Sequence, residues 1–217
     1  MSKKPLLTKM HFLVDNGFFF RYTVDMKNSG SKTKPTFRAA DLASIGIFAA
    51  IIALCSWVSI PTTVPFTLQT FGVFAALSIL GGRNGFFAVL TYLLLGATGI
   101  PVFSGFKGGL AALAGNTGGY LLGFLLLAGI YWLITSLAGN KTVVKAVSLT
   151  VGLLTCYAFG TAWFMVLYIR NNGTVSLLTV LGWCVFPFLI PDAVKLLLAL
   201  LLSAKVKKSG ALSQRVG

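Results

Sequence analysis

Two ionisable side chains stand three residues apart inside one of the most apolar stretches of the chain, "FPFLIPDAVKLLLALLLSA" over residues 186–204. They are Asp192 and Lys195, and a spacing of three puts both on one face of a helix. An uncompensated charge in hydrocarbon costs roughly 2.5–3.5 kcal/mol on insertion scales. A pair here therefore has one of two uses. Either it is an internal ion pair that locks this helix against its neighbours, or its members are divided between the two ends of one ligand. On the second reading Lys195 takes an anion such as a carboxylate, while Asp192 accepts N–H donors. Pro191 precedes the acid and is expected to open the helix locally, freeing backbone carbonyls as further contacts.

Two loops offer partners for such a ligand. In "GNTGGY", residues 115–120, missing side chains at Gly118 and Gly119 let backbone approach a ligand closely. Asn116 and Thr117 precede a helix, so they serve either as caps or as ligand contacts. Tyr120 offers a ring face or a hydroxyl, or anchors the chain at a membrane interface. In "IPTTVPFTLQT", Pro61 and Pro65 stiffen an extended segment. Phe66 could cap a cavity there, with Thr67 or Gln69 hydrogen-bonding beneath it, or these two simply satisfy backbone groups at a helix start. No Gly-Lys-Ser/Thr follows the glycines, so no P-loop ATP site of its own is expected. The sole histidine, His11, lies in the polar N-terminal region, and no Gly-x-Ser-x-Gly elbow is present. The chain is not expected to be an enzyme. Cys55, Cys156 and Cys184 lack metal-ligand spacing and read as packing residues.

The elements that must position these residues follow from composition. Of 217 residues 56% are hydrophobic and only 10% charged, too few polar groups to cover a soluble domain. An all-α membrane protein of six transmembrane helices is expected, over about 39–59, 67–81, 84–98, 117–138, 142–168 and 177–204. Residues 1–38 form a basic tail, 39–205 the helical domain and 206–217 a second basic tail. The sequence "MKNSGSKTKP" makes Met26 an expected alternative start. With the N-terminus inside, fifteen of the eighteen cations lie on the cytoplasmic side and only Lys107 and Arg170 outside. Both termini are then cytoplasmic, in the cell membrane. The net charge of +14 thus answers to anionic lipid rather than to nucleic acid. Small residues follow one another at close-packing intervals along the first helix: Ala39 and Ala43, Gly46 and Ala50, Ala49 and Ala53. That spacing invites a partner helix, from this bundle or from another subunit.

Taken in order, "VPFTLQTFGVFAAL", "GIPVFSGFKGG", "GNTGGYLLGF" and "FPFLIPDAVKLLLA" closely resemble the BioY family over roughly residues 38–205. These are biotin-binding S components of energy-coupling factor (ECF) transporters. The resemblance implies a six-helix S component that captures biotin from outside, with no cofactor beyond the transported vitamin. It implies partnership with an ECF transmembrane coupling subunit and two ATPase subunits. It places ligand contacts at Asp192 and Lys195, and partner contacts at Ala43, Gly46, Ala49, Ala50 and Ala53. Biotin carries a carboxylate at one end and a ureido ring at the other. Lys195 suits the first and Asp192 or Asn116 the second, with Phe66, Phe103 and Tyr120 as walls. Where many members have Gly-Pro-Thr-Gly-Gly-Tyr, this chain has Asn116 in place of proline. The alternatives are an S component for another vitamin, a membrane-embedded enzyme, or a purely structural membrane subunit.

Overall fold

The computed structural model describes residues 38–60 and 64–216, with side chains up to Ser209. The expected N-terminal tail, its Met26 start and His11 lie outside the described residues. Eight helices and one small hairpin make up the described chain: α1 Ala39–Trp57, β1 Ser59–Ile60, β2 Phe66–Thr67, α2 Gln69–Leu80, α3 Gly82–Ala97, α4 Leu110–Ala114, α5 Gly118–Ala138, α6 Thr142–Asn172, α7 Leu177–Cys184 and α8 Phe186–Val216. Among the described residues, four segments are long and apolar enough to cross a membrane: α1, α5, α6 and the composite Leu177–Ser209. α2, at 12 residues, is shorter.

α2 explains how the bundle is organised. It is apolar all round, and a helix of that kind belongs in a core. Val73, Phe74, Ala76 and Leu77 are fully buried. α1, α3, α5 and α8 pack around it, while α5 and α6 form the most extensive helix pair. The close approach of α5 to α6 depends on missing side chains. A Cβ at Gly160 would stand 2.3 Å from the Tyr120 ring. The helix ends fall where the chain supplies a residue free to adopt positive φ: Gly81 at +85° after α2, and Gly139 at +84° after α5.

Three features depart from the sequence reading. The last expected helix, 177–204, is two helices, and the chain turns at Val185 (φ −127°, ψ −57°) rather than opening at Pro191. Pro187 takes the first turn of α8, where a missing N–H leaves no bond unmade. Pro191 lies inside α8, and the helix runs on through it. Secondly, the loop after α1 is closed by a hairpin with Ser59 opposite Thr67 and Ile60 opposite Phe66. Thirdly, the 99–117 connection carries the short α4 and a bridge between Phe103 and Lys107. The Phe103 ring rests on α3, where Gly96 leaves room: a Cβ there would be 1.9 Å from the ring.

Candidate functional site

The hairpin, the 99–117 connection, α2, α5, α6 and the α7–α8 turn line a half-open cavity of about 640 Å³. Its inner end is built from α8. Asp192 and Lys195 form an ion pair of 2.8 Å, with Asp192 only 1% exposed. The ammonium spends all three donors. One goes to Asp192 Oδ1, one to the Thr70 hydroxyl at 3.0 Å, and one to the Thr67 carbonyl at 2.7 Å. Beneath it the Phe66 ring centroid is 4.3 Å from Nζ, in cation–π range.

The carboxylate is held by three donors, the Lys195 ammonium among them. The Thr70 hydroxyl donates to Oδ1 at 2.9 Å and the Tyr157 hydroxyl to Oδ2 at 2.6 Å. A carboxylate offers about four lone-pair positions, and three are taken, leaving room for one more donor. The pair is thus electroneutral and hydrogen-bonded, the condition under which buried charges are tolerated.

The side walls are mixed. Gln69 Nε2 donates to the Tyr92 hydroxyl at 2.9 Å, which turns toward the Val102 carbonyl at 3.3 Å. Opposite, the Tyr120 hydroxyl and Thr161 Oγ1 share a bond of 3.0 Å. Phe103, Phe124 and Phe188 supply apolar surface. At the rim, Asn116 and Lys107 are exposed. The Trp163 indole fastens the rim by donating to the Gly115 carbonyl at 3.1 Å. Among the described residues no group of three metal-ligating side chains gathers anywhere.

Of the site residues expected from sequence, Thr67, Gln69, Phe103, Asn116, Thr117, Tyr120, Asp192 and Lys195 line this cavity. Two lie behind it. Phe66 supports Lys195 and stacks on Phe188, ring centroids 5.7 Å apart. Gly119 faces α6, where a Cβ would meet Trp163 at 2.3 Å, so its role is close helix packing. The α1 residues divide as well. Ala43, Gly46 and Ala50 are exposed along one stripe, while Ala49 and Ala53 are buried inside the bundle.

Thr70, Tyr157 and the rim cation Lys107 are not singled out by sequence reasoning. Tyr157 carried a usable signal, since a tyrosine in mid-span needs a partner for its hydroxyl. Thr70 carried none, being one of several threonines near a helix start.

The family model described as the BioY family matches residues 26–211. The chain belongs to the BioY family. A relative in Thermotoga maritima, named as biotin transporter BioY, is 40% identical over 168 residues, covering 77% of this chain and 95% of that protein. A second, in Pyrococcus horikoshii and named as a probable biotin transporter BioY, is 34% identical, covering 78% and 98%. Among solved structures, the S-component for biotin from an ECF-type ABC transporter superposes with a TM-score of 0.67 at 24% identity. It covers 78% of this chain and 91% of that one, a likeness of fold.

Proposed function

We propose that this chain is the membrane subunit that captures biotin for uptake by an ECF-type transporter, and that it is not an enzyme. The observation that carries this reading is the satisfied Asp192–Lys195 pair at the inner end of a 640 Å³ cavity. A cavity of that size, mostly apolar with a few polar anchors, is the usual form of a small-ligand site. The names of the relatives support biotin as the ligand. On this reading six helical segments cross or line the cell membrane with both termini cytoplasmic. Residues 39–205 are the binding domain, between basic tails 1–38 and 206–217. The exposed stripe Ala43, Gly46 and Ala50 meets a transmembrane coupling subunit that serves two ATPases.

The site geometry favours a definite orientation of the ligand. A cyclic urea presents both N–H donors and a carbonyl acceptor, which matches a carboxylate with one open position beside an ammonium. A carboxylate end would find Lys195 already holding three acceptors. Lys107, exposed at the rim of the same cavity, is the second cation available. The ureido ring then sits at Asp192 and Lys195, and the valerate carboxylate reaches toward Lys107.

Calorimetry on the purified full chain tests both statements. One biotin per chain is expected, and tight binding of thiamine or riboflavin with none of biotin would overturn the function. Lys107→Ala is expected to weaken biotin but spare its methyl ester, while Lys195→Ala weakens both. The opposite pattern, an ester-selective tolerance in Lys195→Ala, returns the carboxylate to Lys195.

A further inference from the structure

A second buried cation plays no part in the cavity described above. Lys145, the fourth residue of α6, is 4% exposed. Its ammonium donates to the Ser78 carbonyl on α2 and to the Ser203 hydroxyl on α8, the latter at 3.3 Å. The Ser203 hydroxyl itself donates to the Ser78 carbonyl at 2.6 Å. These acceptors are neutral. The two acids among the described residues are engaged elsewhere, Asp41 with the Arg38 N–H and the Asn84 amide, and Asp192 with Lys195. Among the described residues no acid therefore stands against Lys145, and two of its three donors account for all its hydrogen bonds there.

Lys145 lines a cleft of about 40 Å³ together with Asn140, Thr142, Ser203 and Lys207. Among the described residues a second ammonium thus faces the first with no acid between them, and an anion is what relieves such a pairing. The start of α6 adds to the same field. Its N-cap, Lys141, makes no side-chain capping bond, and the helix N-terminus brings its own partial positive charge to this end.

The position of the cleft says where the anion comes from. It lies at the end of the bundle that carries Lys141, Lys205, Lys207 and Lys208. Leu137 and Val143, within a few residues of it, are 81% and 73% exposed, as befits side chains meant for lipid. Charged and apolar surface meet here, which is the level of a phospholipid headgroup. We propose that this cleft binds a phosphoryl anion, that of an anionic phospholipid headgroup, with Lys145 at its base and Lys207 at its side.

Native mass spectrometry of the full chain in detergent tests this, with phosphatidylglycerol, phosphatidylcholine and inorganic phosphate titrated separately. One phosphatidylglycerol is expected to be retained in preference to phosphatidylcholine. Lys207→Gln is expected to weaken it about fivefold, as loss of one surface cation would, and Lys145→Gln more. Lys208→Gln, which lines no part of the cleft, leaves the single tight site intact. Thermal unfolding identifies any Lys145 variant that fails to fold, and Lys207→Gln then decides alone. Binding of inorganic phosphate with the same variant dependence and no lipid preference supports the anion site and assigns it to a soluble anion. Equal retention of the two lipids with no response to phosphate, or wild-type retention in Lys207→Gln, overturns the proposal.

Discussion

Asp192→Asn changes almost nothing in shape and removes one charge, which makes it the sharpest probe of the inner site. The Lys195 ammonium would keep the Thr67 carbonyl at 2.7 Å, the Thr70 hydroxyl at 3.0 Å and the Phe66 ring. The new amide can point its oxygen toward Lys195 and Thr70 and its NH₂ toward Tyr157, whose hydroxyl is able to turn and accept. What disappears is the ionic part of the 2.8 Å contact. At an effective dielectric of about 20 that part is roughly 6 kcal/mol, and the neutral amide oxygen returns about 1.5–3 kcal/mol of it as a hydrogen bond to a charged group. The net loss of about 3–4.5 kcal/mol agrees with the ~3–5 kcal/mol cost of breaking a buried pair from one side. For a chain of this size it lowers Tm by roughly 10 °C.

Thermal unfolding of wild type, Asp192→Asn, Lys195→Met and the double variant in one detergent measures this. Both single variants are expected to fall by several degrees. The double variant, with neither charge left to strand, is expected to regain at least half of the Asp192→Asn loss. None of the three should hold biotin, so stability and binding separate within one set of proteins. A double variant that falls by the sum of the two singles would refute the reasoning, because it would mean that neither charge is neutralising the other.

Other perturbations test the surroundings of the pair. Gly160→Ala puts a Cβ 2.3 Å from the Tyr120 ring. It is expected to cost about 1–3 kcal/mol by overpacking and to weaken biotin by driving the ring into the cavity. Calorimetry checks the affinity, and stability should return when Tyr120 is reduced to leucine in the same chain. Gly46→Leu adds a side chain where a Cβ would meet nothing within 4 Å. Unfolding and biotin binding of the isolated chain should stay as in wild type while co-purification with a coupling subunit is lost, and unimpaired co-purification would remove Gly46 from that interface.

What could be read from the sequence was whatever local rules control. Asp192 and Lys195 meet because a spacing of three on a helix brings side chains together, whatever the rest of the chain does. The glycines at positions 81 and 139 end their helices for an equally local reason. Thr70 and Tyr157 were out of reach because they come to Asp192 across 122 and 35 residues of chain. Only the packing of α2 and α6 against α8 makes them partners. The break at Val185 misled for a related reason. Proline is a strong local signal, but Pro187 in the first turn of α8 gives up no helical bond, and α8 runs on through Pro191 at the loss of one, so the turn falls at Val185, where no local signal marks it. The small residues of α1 illustrate the same limit, since their spacing fits close approach but does not tell which of them faces inward.

The division between the two lysines follows from how each is satisfied. Lys195 is a completed unit, with three acceptors and a counter-charge, so an anion arriving there must first displace a bond worth keeping. A ligand gains at this floor only by offering donor and acceptor together, replacing what it removes. A cyclic urea does this and a carboxylate does not. Lys107 is the contrasting case, an exposed ammonium on the rim that an anion can approach without evicting anything. Partial hydration there makes the carboxylate contact weaker and more sensitive to salt than the buried contacts. In the proposed orientation the inner pair selects the ring, the outer cation favours the charged tail, and the length of apolar wall between them sets how far apart the two ends of a ligand must be.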